Sequence, residues 1–335
     1  MEDFGELNLV GRSPAFLEVL ELTKRFSACD ATVLVQGETG TGKELVARAI
    51  HYLGARRSFP FIPVNCGALP DSLVESELFG HARGAFTDAR DARRGLIAEA
   101  QGGTLFLDEI EVLTPKAQVA LLRFLQDLQY RPVGGAAVRD ANVRIIAASN
   151  ANLVELVRDR HFRRDLLFRL DVLAIDLPPL RKRQHDVVLL AEMFLKRLGR
   201  QYRRPPKSVH PDAVPRLLGH EWPGNVRELE NLVHREFLMT DGPTVYLRSL
   251  ASRDARRNEA PAAASSRLTA SKFQEAKALA IANFERAYIA ELLSRTQGNV
   301  SRAARIAGKE RSGLGKLVKK YGLERESFSR DMEAT

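Results

Sequence analysis

Short runs of β-branched and apolar residues alternate with stretches of helical spacing over residues 9–177. Residues 31–36 (ATVLVQ), 61–64 (FIPV), 104–107 (TLFL), 143–148 (VRIIAA) and 172–177 (VLAIDL) predict strands. They are apolar on both faces, as strands are when helices cover a parallel sheet on each side. Between them, residues 44–53 and 115–128 carry apolar side chains at helical spacing. That β-α-β-α order predicts an α/β fold. After Pro178 and Pro179 the strand signals stop, and 186–198, 211–218 and 225–239 predict the helices of a small helical domain. Residues 248–271, rich in Ala, Ser and Arg without an apolar period, have linker composition. The final segment is helical again and basic. The boundaries expected are 9–177 for the α/β domain, 178–243 for the helical one, 244–272 for the linker and 273–328 for a C-terminal all-α domain.

Length and composition change this picture little. A chain of 335 residues exceeds one ordinary core. Its formal charge of +9 points toward an anionic partner. Cys29 and Cys66 sit in no metal-ligand spacing and read as reduced thiols packed in the interior. The acidic N-terminus lacks an apolar signal run, and no stretch has the length to span a bilayer. A cytoplasmic protein with no membrane partner is expected.

The chemistry begins at Gly37-Glu38-Thr39-Gly40-Thr41-Gly42-Lys43, which follows a predicted strand and opens a predicted helix. Glycines let backbone N–H groups curl around phosphate oxygens, the helix N-terminus favours negative charge, and Lys43 reaches the terminal phosphates. Glu44 stands where a magnesium-binding Ser or Thr is usual. Farther on, the apolar strand of 102–109 (GGTLFLDE) ends in two acids. Asp108 can hold magnesium and Glu109 can orient the attacking water. A third strand ends in Ser149-Asn150. Asn150 reads either as a γ-phosphate sensor or as a simple turn residue.

At the C-terminal end, residues 298–308 (GNVSRAARIAG) read as a turn, a capped helix and a stop. Asn299 or Ser301 can supply the cap, Ala303 and Ala304 permit close crossing, and Gly308 ends the helix. A second helix is expected over 312–321. Two short helices about a tight Gly turn predict a helix-turn-helix. Arg295, Arg302, Arg305, Lys309, Arg311, Lys316, Lys319 and Lys320 oppose the single acid Glu310, a phosphate-binding footprint. With Ser301 and Ser312 added, the candidate DNA contacts are Ser301, Arg302, Lys309, Arg311, Ser312, Lys316, Lys319 and Lys320. Gly313 and Gly315 weaken this second helix by about 1 kcal/mol each relative to Ala, so it is expected to form fully only on DNA or to discriminate modestly. A helical hairpin for dimerisation alone is the competing reading.

The runs GETGTGKE (37–44), ESELFGHARGAFTDA (75–89), GGTLFLDEI (102–110), FRRDLLFRL (162–170), LPPLRKR (177–183) and WPGNVREL (222–229) resemble the AAA+ domain of bacterial enhancer-binding proteins, activators of sigma-54 RNA polymerase. The resemblance implies a P-loop sheet with a helical lid, ATP with Mg2+, and an oligomer in which dimers assemble to a hexamer. In that family Glu44 is normal, Asp108 binds magnesium and Glu109 polarises water. Asn65 holds that glutamate back, Asn150 is the first sensor, and Arg227 in the lid is the second. Arg163 and Arg169 are implied as arginine fingers acting in the neighbouring subunit. The loop Gly84-Ala85-Phe86-Thr87-Asp88-Ala89 corresponds to the family's sigma-contact loop, with Asp88 where the family has Gly. The C-terminal end is similar to the DNA-binding helices of the factor for inversion stimulation, with residues 276–293 pairing two subunits. An activator that binds upstream promoter DNA and remodels the closed polymerase complex is therefore expected. Because the chain opens almost directly on the ATPase, control by a separate protein in trans, or by expression level, is expected. The altered Asp88 keeps open an AAA+ regulator that binds DNA without engaging sigma-54. A protein-unfolding or clamp-loading AAA+ ATPase fits the Phe86-Thr87 loop and the helix-turn-helix least well.

Overall fold

A computed structural model describes Phe4, residues 7–70, 73–85, 89, 91–183 and 185–247, then Glu285, Tyr288, Ile289, Leu292, Leu293, Thr296 and 299–321. The chain forms two compact units, residues 1–254 and 255–335.

In the first unit the elements are α1 (Pro14–Ser27), β1 (Val33–Gln36), α2 (Lys43–Tyr52), β2 (Phe61–Asn65), α3 (Val74–Phe79), β3 (Gly80–His81), β4 (Arg93–Arg94), α4 (Leu96–Glu99) and β5 (Thr104–Asp108). There follow α5 (Pro115–Asp127), β6 (Gln129–Tyr130), β7 (Arg139–Asp140), β8 (Arg144–Ser149), α6 (Leu153–Arg158), α7 (Arg164–Leu170) and β9 (Leu173–Asp176). The helical part holds α8 (Asp186–Tyr202), β10 (Ser208–Val209), α9 (Val214–Gly219), α10 (Asn225–Met239) and β11 (Thr244–Val245). The second unit shows α11 (Val300–Ile306) and α12 (Arg311–Lys320).

The central sheet is parallel, in the order β2-β5-β8-β1-β9. Its pleat sends successive residues to opposite sides. Leu105, Leu107, Ile145 and Ala147 face one apolar cluster, while Phe106, Ile146 and Ala148 face the other. Both clusters are buried, which is why these strands read as continuous apolar runs rather than alternating ones. The register sets Asn65 opposite Asp108 and Gln36 opposite Ser149. The polar ends of these strands thus lie along one edge, where ligands bind in open parallel sheets.

The helical part is not strand-free as the sequence suggests. β10 and β11 pair in parallel, and β3–β4 and β6–β7 are short antiparallel pairs. Each strand has two residues, too few to show a period. Trp222 centres the core of the helical part, fully buried, its indole N–H donating to the Leu217 carbonyl at 2.9 Å.

In the second unit Asn299, rather than Ser301, caps α11 by accepting the Arg302 N–H at 3.0 Å. Ala303 and Ala304 are buried with Leu314, Val318 and Leu293. Gly308 turns the chain with φ +61°. α12 runs through Gly313 and Gly315 without a break. Leu314 and Val318 anchor one of its faces in the core, and that burial offsets the helix cost of the glycines. The pairing helix expected over 276–293 falls largely outside the described residues.

Candidate nucleotide site

The loop after β1 owes its path to glycine. Gly37, Gly40 and Gly42 all have positive φ, +154°, +79° and +103°, the region that suits a residue without Cβ. At Gly40 a Cβ would also come within 2.4 Å of the Gly224 carbonyl. That close approach docks the loop on the start of α10. The Gly40 carbonyl accepts the Val226 and Arg227 N–H groups at 3.0 and 3.3 Å. Thr41 Oγ1 donates to the Glu38 carbonyl at 2.8 Å. Glu44 pairs with Arg48 one turn along α2, at the surface.

Lys43 is buried and its ammonium donates to the Gly37 and Glu38 carbonyls at 2.8 and 3.2 Å and to Asn150 Oδ1. Burial holds its pKa below the ordinary lysine value, against the raising influence of Asp108, Glu111 and Glu109. Burial likewise raises Asp108, opposed by Lys43. Cys66, buried beside these acids, has its thiol pushed up to about 12 by desolvation and their charge. It is inert packing. Cys29 is exposed, contrary to the expectation that both cysteines pack inside.

Glu109 occupies the left-handed region, φ +57° and ψ +45°, with its N–H bonded to Asp108 Oδ1 at 3.0 Å. A non-glycine residue held there stores about 1–3 kcal/mol, a feature that clusters at functional sites. Its carboxylate receives a hydrogen bond from Asn150 Nδ2 at 3.4 Å. Asn65 is placed differently from the expected restraint. Its Oδ1 accepts the Gly67 and Ala68 N–H groups at 2.8 and 3.1 Å, shaping a 3-10 turn. Glu109 lies over that turn, since a Cβ on Gly67 would fall 2.8 Å from its Oε2. Asn65 therefore meets Glu109 through the turn, and Asn150 makes the side-chain contact.

Two groups that sequence reasoning did not select tie the loop to the connector and lid, and a third ties the N-terminal segment to α8. Arg181 grips Glu38 with two hydrogen bonds at 2.5 and 2.8 Å, and this pairing above all lowers the Glu38 carboxyl to about 2. Asn225 is fully buried, accepts the Leu180 N–H at 2.8 Å, and donates to the Thr39 carbonyl at 3.0 Å and to Glu38 at 3.1 Å. Arg183 and Asp186 form a buried pair at 3.2 Å. Burial works against the Asp186 charge, but the Arg12 N–H, Ser13 and Arg183 outweigh it and hold its pKa low. That pair fastens the segment around Gly11 to α8. The Leu-Pro-Pro-Leu-Arg-Lys-Arg and Trp-Pro-Gly-Asn runs held these residues, but nothing local reveals their partners.

Arg227 is exposed on the first turn of α10. Arg163 and Arg169 are exposed at the two ends of α7, Arg163 paired with Asp165 at 2.7 Å. Among the described residues neither is hydrogen-bonded to Lys43, Asp108, Glu109 or Asn150. In the candidate sigma-contact loop, β3 and β4 close the base, and Gly84 N–H donates to the Ala89 carbonyl at 2.8 Å. Phe86, Thr87 and Asp88 lie outside the described residues. In the second unit Ser301, Arg302, Lys309, Arg311, Ser312, Lys316, Lys319 and Lys320 are all exposed. No helix of the described residues is long and apolar enough to cross a membrane.

Fold and site together define a P-loop AAA+ ATPase. Residues 9–176 match the sigma-54 interaction domain, 181–267 the AAA+ ATPase lid domain, and 280–321 the Fis family of bacterial regulatory proteins. The chain is 41% identical over 320 residues to the transcriptional regulatory protein GlrR of Escherichia coli (strain K12), covering 96% of this chain and 69% of GlrR. It is 42% identical over 315 residues to the alginate biosynthesis transcriptional regulatory protein AlgB of Pseudomonas putida, covering 94% of this chain and 67% of AlgB. A crystal structure of NtrX from Brucella abortus in complex with ATP superposes with a TM-score of 0.71 at 34% identity, covering 94% of this chain and 69% of that one. The chain belongs to the family of sigma-54-interacting transcriptional regulators that carry an AAA+ ATPase and a Fis-type DNA-binding helix-turn-helix.

Proposed function

We propose that this protein is a sigma-54-dependent activator that binds upstream promoter DNA and couples ATP hydrolysis in a hexameric ring to remodelling of the closed polymerase complex. The observation that carries the reading is the Lys43–Asn150–Glu109 chain at the strand ends, with the Gly40 carbonyl bonded to the lid. It joins the group that would meet the phosphates to the group that would activate water, and links both to the lid helix α10.

The donor set fits magnesium. Asp108 and Glu109 offer hard oxygens beside one buried lysine. Among the described residues no three ligating side chains form a ready-made cage; Asp108 would hold Mg2+ together with phosphate oxygens, as is usual for this ion. Held there, the ion would supply positive charge against the charge that builds on the phosphates. Lys43 leaves the carbonyls of Gly37 and Glu38 for the β- and γ-phosphates. Asn150 senses the γ-phosphate, and Glu109 takes the proton of the attacking water. Arg227 reads the phosphates from the lid. Arg163 and Arg169, exposed on α7, serve the neighbouring subunit. Residues 84–89 carry the motion to sigma-54, and the basic face of the Fis-type unit holds the ring near its promoter. Such a protein works in the cytoplasm, beside the DNA.

Asp88 supports a second reading, in which the ATPase has lost sigma-54. Six carboxylates near a ring axis would repel one another. The test is binding of purified protein to sigma-54 with ADP and a γ-phosphate mimic, beside Asp88→Gly. A nucleotide-dependent complex with the natural protein establishes the activator. A complex with Asp88→Gly alone establishes the second reading.

A further inference from the structure

Glu111 follows Asp108 and Glu109 in the short 3-10 turn Ile110–Val112, and none of the catalytic roles assigned above falls to it. One of its carboxylate oxygens, Oε1, accepts the backbone N–H of Asn150 at 3.0 Å. The other, Oε2, is sealed from solvent with no hydrogen-bond partner. A buried acceptor left unpaired costs free energy, so the carboxylate is held in place against a penalty.

What Glu111 holds is the tip of β8. The ladder between β1 and β8 ends at Gln36 opposite Ser149, and the Asn150 amide lies one residue beyond it. The carbonyl of that peptide accepts the Gly37 N–H at 3.3 Å, and Glu111 holds its N–H side, so the plane is gripped from both ends. Asn150 in turn spans the site, with Oδ1 on Lys43 and Nδ2 3.4 Å from Glu109. Glu109 and Glu111 stand two apart in sequence, so a single short segment grips Asn150 by side chain and by backbone.

We propose that Glu111 is a positioning residue for ATP hydrolysis, which holds the Asn150 backbone N–H so that the Asn150 amide stays between Lys43 and Glu109. This rests on the reading of Asn150 as the γ-phosphate sensor. The action runs through an accepted hydrogen bond, not through charge, and glutamine at 111 keeps the acceptor.

The test is steady-state ATPase kinetics of the full chain with Glu111→Ala and Glu111→Gln, beside amide exchange at Asn150. In Glu111→Ala kcat falls about 10- to 100-fold, the scale of a misplaced catalytic group, while KM for ATP stays put. Glu111→Gln stays close to the natural protein, and Asn150 exchanges faster in the alanine variant alone. Full kcat in Glu111→Ala, equal loss in both variants, or a raised KM at unchanged kcat overturns the proposal. Should Glu111→Ala fail to fold, Glu111→Met removes the acceptor and keeps the volume. If the natural protein shows no turnover, the hydrolysis reading fails instead. Asn150 exchange then decides alone, and equal protection with and without the Glu111 carboxylate overturns the role.

Discussion

Asn225 reaches from the first turn of α10 to the Thr39 carbonyl in the phosphate loop, 3.0 Å away across 186 positions of sequence. It is fully buried and sits at φ +51°. Its side-chain oxygen simultaneously accepts the Leu180 N–H. One amide thus joins the phosphate loop, the connector and the lid.

Asn225→Ala removes those partners while leaving a left-handed backbone under an unsuitable side chain. A loss of about 2–4 kcal/mol is expected, from buried groups left unpaired and from backbone strain. Thermal unfolding measures it. A variant as stable as the natural protein would show that the joint carries no stability.

Arg181→Ala acts on the neighbouring tie. Both partners are partly exposed, with 36% and 41% of the side-chain surface accessible, so solvent screening keeps the stability cost small. Its effect is expected in nucleotide affinity more than in kcat, because one of the ties that hold the loop is lost while those of Asn225 and Gly40 remain. Titration with a non-hydrolysed ATP analogue, set beside turnover, separates the two.

The same pair has an acid limit. Glu38 is lowered from 4.5 to about 2, first by its hydrogen bonds from Arg181. A depressed carboxylate stabilises the fold fully above its unfolded pKa, and the contribution is lost as pH falls toward the folded value. The Glu38 contribution is therefore constant at neutral pH and disappears between about 4.5 and about 2. Unfolding curves of Glu38→Gln and the natural protein should converge across that window.

Arg163 and Arg169 are assigned to the adjacent subunit, where an arginine finger is worth about 10³–10⁵ in rate. Arg169→Ala and Lys43→Ala are each expected to be inactive. Mixed, they should recover part of the ATPase, since some junctions pair an intact finger with an intact phosphate loop. Absence of recovery over a range of mixing ratios would argue against fingers acting in trans.

On the DNA side, Lys316→Ala is expected to weaken binding on specific and random duplexes alike and to reduce the salt slope by about 1. Arg311→Ala at the start of α12 should instead change the preference among sites. Binding curves at several salt concentrations distinguish a phosphate contact from a base contact.

Much of this protein was legible in the chain because its signals are local. Apolar runs located the five sheet strands, the Gly-rich turn located the phosphate loop, and the Asp108-Glu109 pair marked a strand end. Asn299, Ala303, Ala304 and Gly308 outlined the helix-turn-helix within ten residues. Each rests on neighbours in sequence, where spacing and backbone preference operate directly.

The tertiary structure alone decided which of those pieces touch. The Gly40 carbonyl against α10, Arg181 on Glu38, Asn225 on Thr39 and Glu111 on Asn150 all join residues far apart in sequence. Asn65 proved to organise a turn rather than to bond Glu109 directly. The two-residue strands escaped notice for a related reason: a period needs length, and their pairing is set by what packs around them. A hydrogen bond depends on ångström-scale separation and direction, and those are fixed only when the sheet, the connector and the lid have packed together.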